Sequence, residues 1–391
     1  MSQPKPLAGM TVIDISQGIA GPTCGAMFAE HGASVIKIEP PEGDWVRKLG
    51  TQVAGTSTPG IVYNRGKRSI ALDLKSPKAI AITKTLAKNC TVFIESGRPG
   101  AIERLGLGFK DIAAISPDVI YISVSGFGHV GPYRDRPMVD TVGQAWSGLM
   151  TRALGRDGSP TRLTVPLIDV VTGFLSFQAA TMALWGKKSG SGPKHIDASL
   201  MQAVATMQAP YIMEWAHVGR AAGQLNPPAG IYRTKDRWIA VTLVTEAQYA
   251  GICRALGRPE LASDPRFLTF AKRKENEAAL REIIEVEVAK RPSTEWVAAF
   301  TKEGALAEPV ATYGDWLADP HVKAADAAPP FEVAPGVTLP LPRLPGQPPF
   351  NAKAPQVGEN TRAVLAAAGL GPNDIEALIR EGVAAEAGGR T

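Results

Sequence analysis

Cysteine is scarce in this chain: Cys24, Cys90 and Cys253 are the only three, and they lie far apart. They share no metal-ligand spacing and cannot build a disulfide framework, so a reducing cytoplasm is the expected setting. A strong charge of either sign is also missing. The net charge is +5, and the basic residues are spread along the chain instead of forming a tail. That argues against a nucleic-acid surface and for a local anionic ligand. Long apolar runs are absent as well. The stretch from Val170 to Trp185 is free of charge but contains Thr172, Ser176, Gln178 and Thr181, so it reads as a buried helix and no membrane partner is expected. The first ten residues, MSQPKPLAGM, have no apolar signal-peptide core. His31, His129, His195, His217 and His321 make no i, i+4 pair, and no Ser or Cys sits in a G-x-S-x-G elbow. Neither a metal site nor hydrolase chemistry of that type is indicated.

The 391 residues, 45% of them hydrophobic, exceed what one core usually holds and can fill two. TVIDIS, SVIKIE, SIALDL, CTVFIE and DVIYISVS read as strands with helical segments between them, the first running from Pro22 to His31. Strands alternating with helices predict an α/β large domain with a parallel sheet covered on both faces. A long helix is expected from Asp169 to Lys187 and another from about Leu200 to His217. The boundaries fall at 1–219 for the large domain and 220–328 for a smaller α+β domain. The segment 329–391 is a Pro-rich connector to 355 followed by two short helices that return to the large domain.

Gly126-Phe-Gly128-His-Val-Gly131 matches a dinucleotide fingerprint after a strand. Pro132 and Pro137 forbid the helix that should follow, and no acidic residue stands about 20 positions on, so no nicotinamide cofactor is predicted. A glycine turn at a strand's C-terminal end can still border a ligand crevice. Cations recur in such loops: Arg65, Lys67 and Arg68, then Arg98, Arg104, Arg134 and Arg136. They are either solvated loop residues or a phosphate cradle. Asp169, before the long helix, is an N-cap in the plain view, and a carboxylate kept ionised there also suits nucleophilic catalysis.

The segments LAGMTVIDISQGIAGPTCGAMFAEHGASVIKIEPPEGD (7–44), NRGKRSIALDLKSP (64–77), RPGAIERLGLG (98–108), SVSGFGHVGPYRDRP (123–137) and IDVVTG (168–173) together resemble the class III CoA-transferases, the group of formyl-CoA and carnitine-CoA transferases. Further similarity lies in AGIYRTKDRWIAV (229–241), SDPRF (263–267) and VGENT (357–361). The resemblance implies a Rossmann-like large domain, a smaller second domain and an interlocked homodimer. It implies coenzyme A or an acyl-CoA as substrate, with a small carboxylic acid as the other partner. Asp169 is then the nucleophile. The positions matching CoA contacts are Ile19, Ala20, Leu72, Asp73, Leu74, Lys75, Ser96, Gly97, Arg98, Arg104, Arg136, Pro137, Met138 and Val139.

The chemistry so implied runs through an aspartyl mixed anhydride and an aspartyl-CoA thioester, with Gly173 and the loop of Gly126, Gly128 and Gly131 as candidate oxyanion donors. Formyl-CoA transferases carry a run of glycines where 220–230 here reads RAAGQLNPPAG, which weighs against formate or oxalate. A small dicarboxylate donor such as succinyl-CoA is the expectation, with Arg47 or Arg65 for the second carboxylate of a dicarboxylic acceptor. The alternative is an α-methylacyl-CoA racemase. It needs a histidine near 138–140, where this chain has Met138-Val139-Asp140.

Overall fold

The apolar runs become strands that are hydrophobic on both sides, as a sheet buried between helices requires. The computed structural model describes residues 5–155, 158–192, 194–220, 226–348 and 350–388. In order, β1 (Thr11–Asp14), α1 (Ala20–Glu30), β2 (Ser34–Glu39), α2 (Thr58–Asn64), β3 (Arg68–Leu72), α3 (Pro77–Ala87) and β4 (Val92–Glu95) open the chain. Next come α4 (Ala101–Arg104), α5 (Phe109–Ile115), β5 (Ile120–Ser125), α6 (Asp140–Trp146), α7 (Leu167–Lys187), β6 (His195–Ser199) and α8 (Leu200–Met207).

The sheet runs β3-β2-β1-β4-β5-β6 with every pairing parallel, and the two-residue strand Ala384–Ala385 joins antiparallel on β3. Alternation along each strand divides the core. Ile13, Ile38, Ile70 and Phe93 face one side, with α3, α5 and the C-terminal helices (Thr361–Ala367, Pro372–Arg380). Val12, Val35, Val92 and Ile122 face the other, with α1, α7 and α8. Side-chain caps start several of these helices: the Ser76 hydroxyl accepts the Lys78 N–H before α3, and Ser199 accepts the Gln202 N–H before α8.

The chain divides into two compact units, Met1–Ala209 with Pro329–Thr391, and Pro210–Ala328. The expected helix from Leu200 to His217 is in fact two. It breaks at Gln208, and α9 (Ala209–Val218) restarts with Pro210, which lacks the N–H a continuous helix would need. Glu214 of α9 pairs with Lys274 at 2.6 Å within the second unit. That unit holds a three-stranded antiparallel sheet, β7 (Gly230–Arg233), β8 (Trp238–Thr242) and β9 (Leu306–Pro309), and several helices over a core around Phe267, Trp296 and Phe300.

Two further expectations change. The connector after 329 contains a hairpin, Pro330–Ala334 with Val337–Pro340. Among the described residues, helix α7 alone is long and apolar enough to cross a membrane. Only 33% of its apolar window is buried: it buries Thr172, Gly173 and Ser176, Gly173 facing Thr23 and Ala20 of α1, but exposes Phe174, Met182 and Trp185.

Candidate active site

Strand order reverses between β1 and β4, so the loops after these strands diverge and leave a crevice at the C-terminal edge of the sheet. A cleft of about 490 Å³ opens there. The loop after β1 contributes Gln17, Ile19 and Ala20; the loop after β4 contributes Ser96, Gly97 and Arg98; the end of β5 contributes Ser125 and Gly126. Asp169 reaches it from α7.

Asp169 is not the N-cap. The cap position is Pro166, and Asp169 sits in the first turn of α7. Capping falls to Asp140, a buried residue whose carboxylate accepts the Ile168 N–H at 2.7 Å and also binds the Gln144 side chain. The Asp169 carboxylate takes no hydrogen bond among the described residues. Burial, and then the neighbouring Asp140 charge, push its pKa up to about 7, against the helix dipole that favours the ionised form. In return, burial and the Asp169 charge push the Tyr63 phenol upward.

Ile19, Ala20, Ser96, Gly97, Arg98, Gly126 and Arg136 therefore share one cleft with Asp169. Arg136 lies over the Tyr133 ring, 5.3 Å from its centroid, which steadies a charge that no carboxylate among the described residues holds. Other candidates do not line the cleft. Leu72 is fully buried in the sheet core, where strand alternation points it at the helices, and its backbone pairs with Ala384. Asp73 caps its own turn by accepting the Lys75 N–H at 3.0 Å. Lys75 and Arg104 are exposed; of the expected 72–75 stretch it is Leu74 that lines the cleft, and Leu105 does so beside Arg104.

Of the expected oxyanion donors, Gly126 lines the cleft and Gly173, Gly128 and Gly131 do not. Gly173 lies inside α7 against α1, where a Cβ would come within 2.7 Å of the Ala20 carbonyl oxygen, so it serves helix packing. Gly128 gives its N–H to the Ser125 hydroxyl at 3.0 Å, and Gly131 faces open space; neither lines the cleft. Arg47 and Arg65, offered for an acceptor's second carboxylate, do not line the cleft either. Arg47 is buried in a two-pronged pair with Glu39, both contacts 2.8 Å, and Arg65 is paired with Glu30 at 2.6 Å. Of the unusual loop at 220–230, residues 221–225 lie outside the described residues.

Pro137, Met138 and Val139 of the expected set line the cleft too, and so do residues the sequence did not single out: Gln17, Trp45 and Glu95. Glu95 closes β4, accepts the Gly97 N–H at 2.7 Å and is driven up to about 7, chiefly by burial. A carboxylate ending a wholly apolar run was the available signal for it. For Gln17 and Trp45 there was none, because neither type is unusual in a turn.

The model of CoA-transferase family III matches residues 7–361. The chain belongs to this family. It is 31% identical over 381 residues to succinate–glutarate CoA-transferase of Agrobacterium fabrum, covering 92% of this chain and 95% of that protein. It is 34% identical over 332 residues to human succinyl-CoA:glutarate CoA-transferase, covering 82% of this chain and 75% of that one. The fold matches a CaiB/BaiF family protein from Brucella suis with a TM-score of 0.80 and 30% identity, over 94% of this chain and 100% of that one. As a family III CoA-transferase, the protein is an enzyme of CoA transfer whose substrates are an acyl-CoA and a carboxylate.

Proposed function

We propose that this CoA-transferase works through Asp169 as nucleophile and moves CoA from succinyl-CoA to a small dicarboxylic acid. One observation carries the mechanism: a partly buried carboxylate with no hydrogen bond among the described residues opens onto a cleft whose rim bears Arg98, Arg134 and Arg136. Its lone pairs are uncommitted, and near neutral pH a large share is ionised. An Asp169 oxygen attacks the thioester carbonyl; the C–S bond breaks, giving an aspartyl–acyl anhydride and CoA thiolate. The thiolate attacks the aspartyl carbonyl, releasing the donor acid and leaving an aspartyl-CoA thioester. The acceptor carboxylate attacks the aspartyl carbonyl of that thioester, breaking the C–S bond and giving an acceptor–aspartyl anhydride and CoA thiolate; the thiolate then attacks the acceptor's acyl carbonyl, forming the new CoA ester and releasing the Asp169 carboxylate. Dividing the exchange into these steps preserves the thioester's energy. The three arginines suit the CoA phosphates, as do Ser96 to Arg98 at the switch point of a Rossmann-like sheet.

The relatives' names support the choice of succinyl-CoA and a dicarboxylate. A racemase is disfavoured because Asp140 is committed to Ile168 and Gln144 and no histidine lines the cleft among the described residues. We also propose a homodimer in which a second copy covers Phe174, Met182 and Trp185, the last 68% exposed. The cytoplasm suits three cysteines that are all free and buried.

The test is Asp169→Asn with succinyl-CoA and a panel of dicarboxylates, the CoA esters being read by mass spectrometry. Exchange by the parent and at least a 10³-fold loss in the variant are expected, as for removal of a covalent nucleophile. An Asn variant that exchanges at the parental rate would refute the mechanism.

A further inference from the structure

Lys37 and Asp44 are completely buried, yet neither side chain lines the cleft. Taking two full charges out of water is costly, so their retention calls for a structural return other than stability. The geometry points to what they hold. Lys37 Nζ donates to Asp44 Oδ2 at 2.9 Å and to the Ser16 carbonyl. Asp44 Oδ1 accepts the Gly18 N–H at 2.9 Å and the Val46 N–H at 3.1 Å. Between these anchors the Ser96 hydroxyl accepts the Gln17 N–H at 2.8 Å and donates to the Gln17 carbonyl at 3.3 Å.

All four backbone groups from the Ser16 carbonyl to the Gly18 N–H are thus taken by side chains of β2 and of the loops after β2 and β4. Asp44 also caps the turn that carries Trp45. Gly18 has φ +82°, and a Cβ there would run into the Trp45 ring, so the two turns fit as one piece. Gln17 and Trp45, both in the cleft wall, have their backbone origins fixed by one buried ion pair. Asp14 and Glu39 also face Lys37, but Lys67 holds Asp14 at 2.7 Å and Arg47 holds Glu39 at 2.8 Å, which leaves Asp44 as the direct partner of Lys37.

We propose that Lys37 and Asp44 are positioning residues: they lock the 16–18 turn and Trp45 into one wall of the active-site cleft, so that turnover depends on them while acyl-CoA binding does not. The proposal rests on the CoA-transfer reading for its kinetic readout. In Asp44→Asn an amide N–H₂ or an uncharged oxygen meets Lys37, and the grip on Ser16 or Gly18 is lost. A displacement of this order is expected to lower kcat about 10- to 100-fold, with KM for acyl-CoA changed less than about threefold.

The double variant Lys37→Met/Asp44→Asn removes the unpaired charge. It is expected to regain most of the Tm lost by Lys37→Met alone while kcat stays low. A merely structural pair would recover both together, and parental kcat in the double variant overturns the proposal. If Lys37→Met does not fold, Asp44→Asn decides alone, and parental kcat in that variant overturns it equally. Hydrogen exchange at the Gly18 and Val46 amides provides a readout independent of activity. At least tenfold faster exchange is expected in Asp44→Asn, and unchanged exchange refutes the placement. A parent enzyme that transfers no CoA, with this exchange still accelerated, would strike the proposed function and leave the positioning role standing.

Discussion

A carboxylate proposed as a nucleophile is most useful where it is least comfortable, and Asp169 illustrates the conflict. Burial and Asp140 hold its pKa near 7, above the ordinary 3.8. Because the folded state disfavours the ionised form, the unfolded chain loses its proton first as pH rises from about 4. Stability contributed by this site is therefore lost between about 4 and 7 and constant above. Asp169→Asn removes the ionisation. Its Tm advantage over the parent is expected to widen between pH 5 and 7, by on the order of 2 kcal/mol in stability, and to level off above pH 7. Thermal melts at stepped pH check this. An advantage that shrinks with rising pH would mean that the carboxylate is stabilised in its charged form.

At the level of elements, α7 presents Asp169 only because it lies close against α1, and Gly173 makes that approach possible. A Cβ at 173 would meet Thr23 at 2.6 Å and the Ala20 carbonyl at 2.7 Å, neither of which can give way as a flexible side-chain tip would. Gly173→Ala is expected to cost about 1–3 kcal/mol, the usual penalty of overpacking, despite alanine's better helix propensity. It is also expected to lower kcat, since Ala20 and Asp169 border the same cleft. Denaturant melts and steady-state kinetics measure the two effects, and a more stable Gly173→Ala would contradict the close contact.

The strands around this helix pair were legible in sequence because runs such as SVIKIE and CTVFIE are apolar on both faces. Lys37 inside that first run was not legible as a buried residue, since its partner Asp44 is brought to it only by the turn after β2. Nor was β6, His195–Ser199, whose polar residues carry no strand pattern, or Ala384–Ala385, too short for any period. Asp169, Ser96 to Arg98 and the 19–20 turn were legible through motif resemblance. Gln17, Trp45 and Glu95 take their standing from the cleft they share.

For the molecule as a whole, the decisive feature is that the chain's end completes its beginning. Ile375, Leu378, Val383 and Ala384 are buried in the same core as Ile13 and Ile70. Ala384 pairs with Leu72, and the Asp73 N–H donates to the Val383 carbonyl at 3.0 Å, immediately before Leu74 enters the cleft. Each large apolar side chain so buried contributes about 1.5–3 kcal/mol, so three of them approach the entire stability of an ordinary domain. A chain ending at Leu370 loses that cover and leaves an apolar sheet face and the edge of β3 open to water. It is expected to aggregate or to lose its cooperative transition in circular dichroism. The surface pair of Lys78 with Glu381, 2.6 Å apart and well exposed, cannot account for such a loss, because exposed pairs contribute about 0–1 kcal/mol. Lys78→Ala in the full chain is therefore expected to melt within a degree or two of the parent. If that single change unfolded the protein as the truncation does, the C-terminal segment would be held by charge at its rim, and the buried face beneath it would not be what binds the two ends of the chain together.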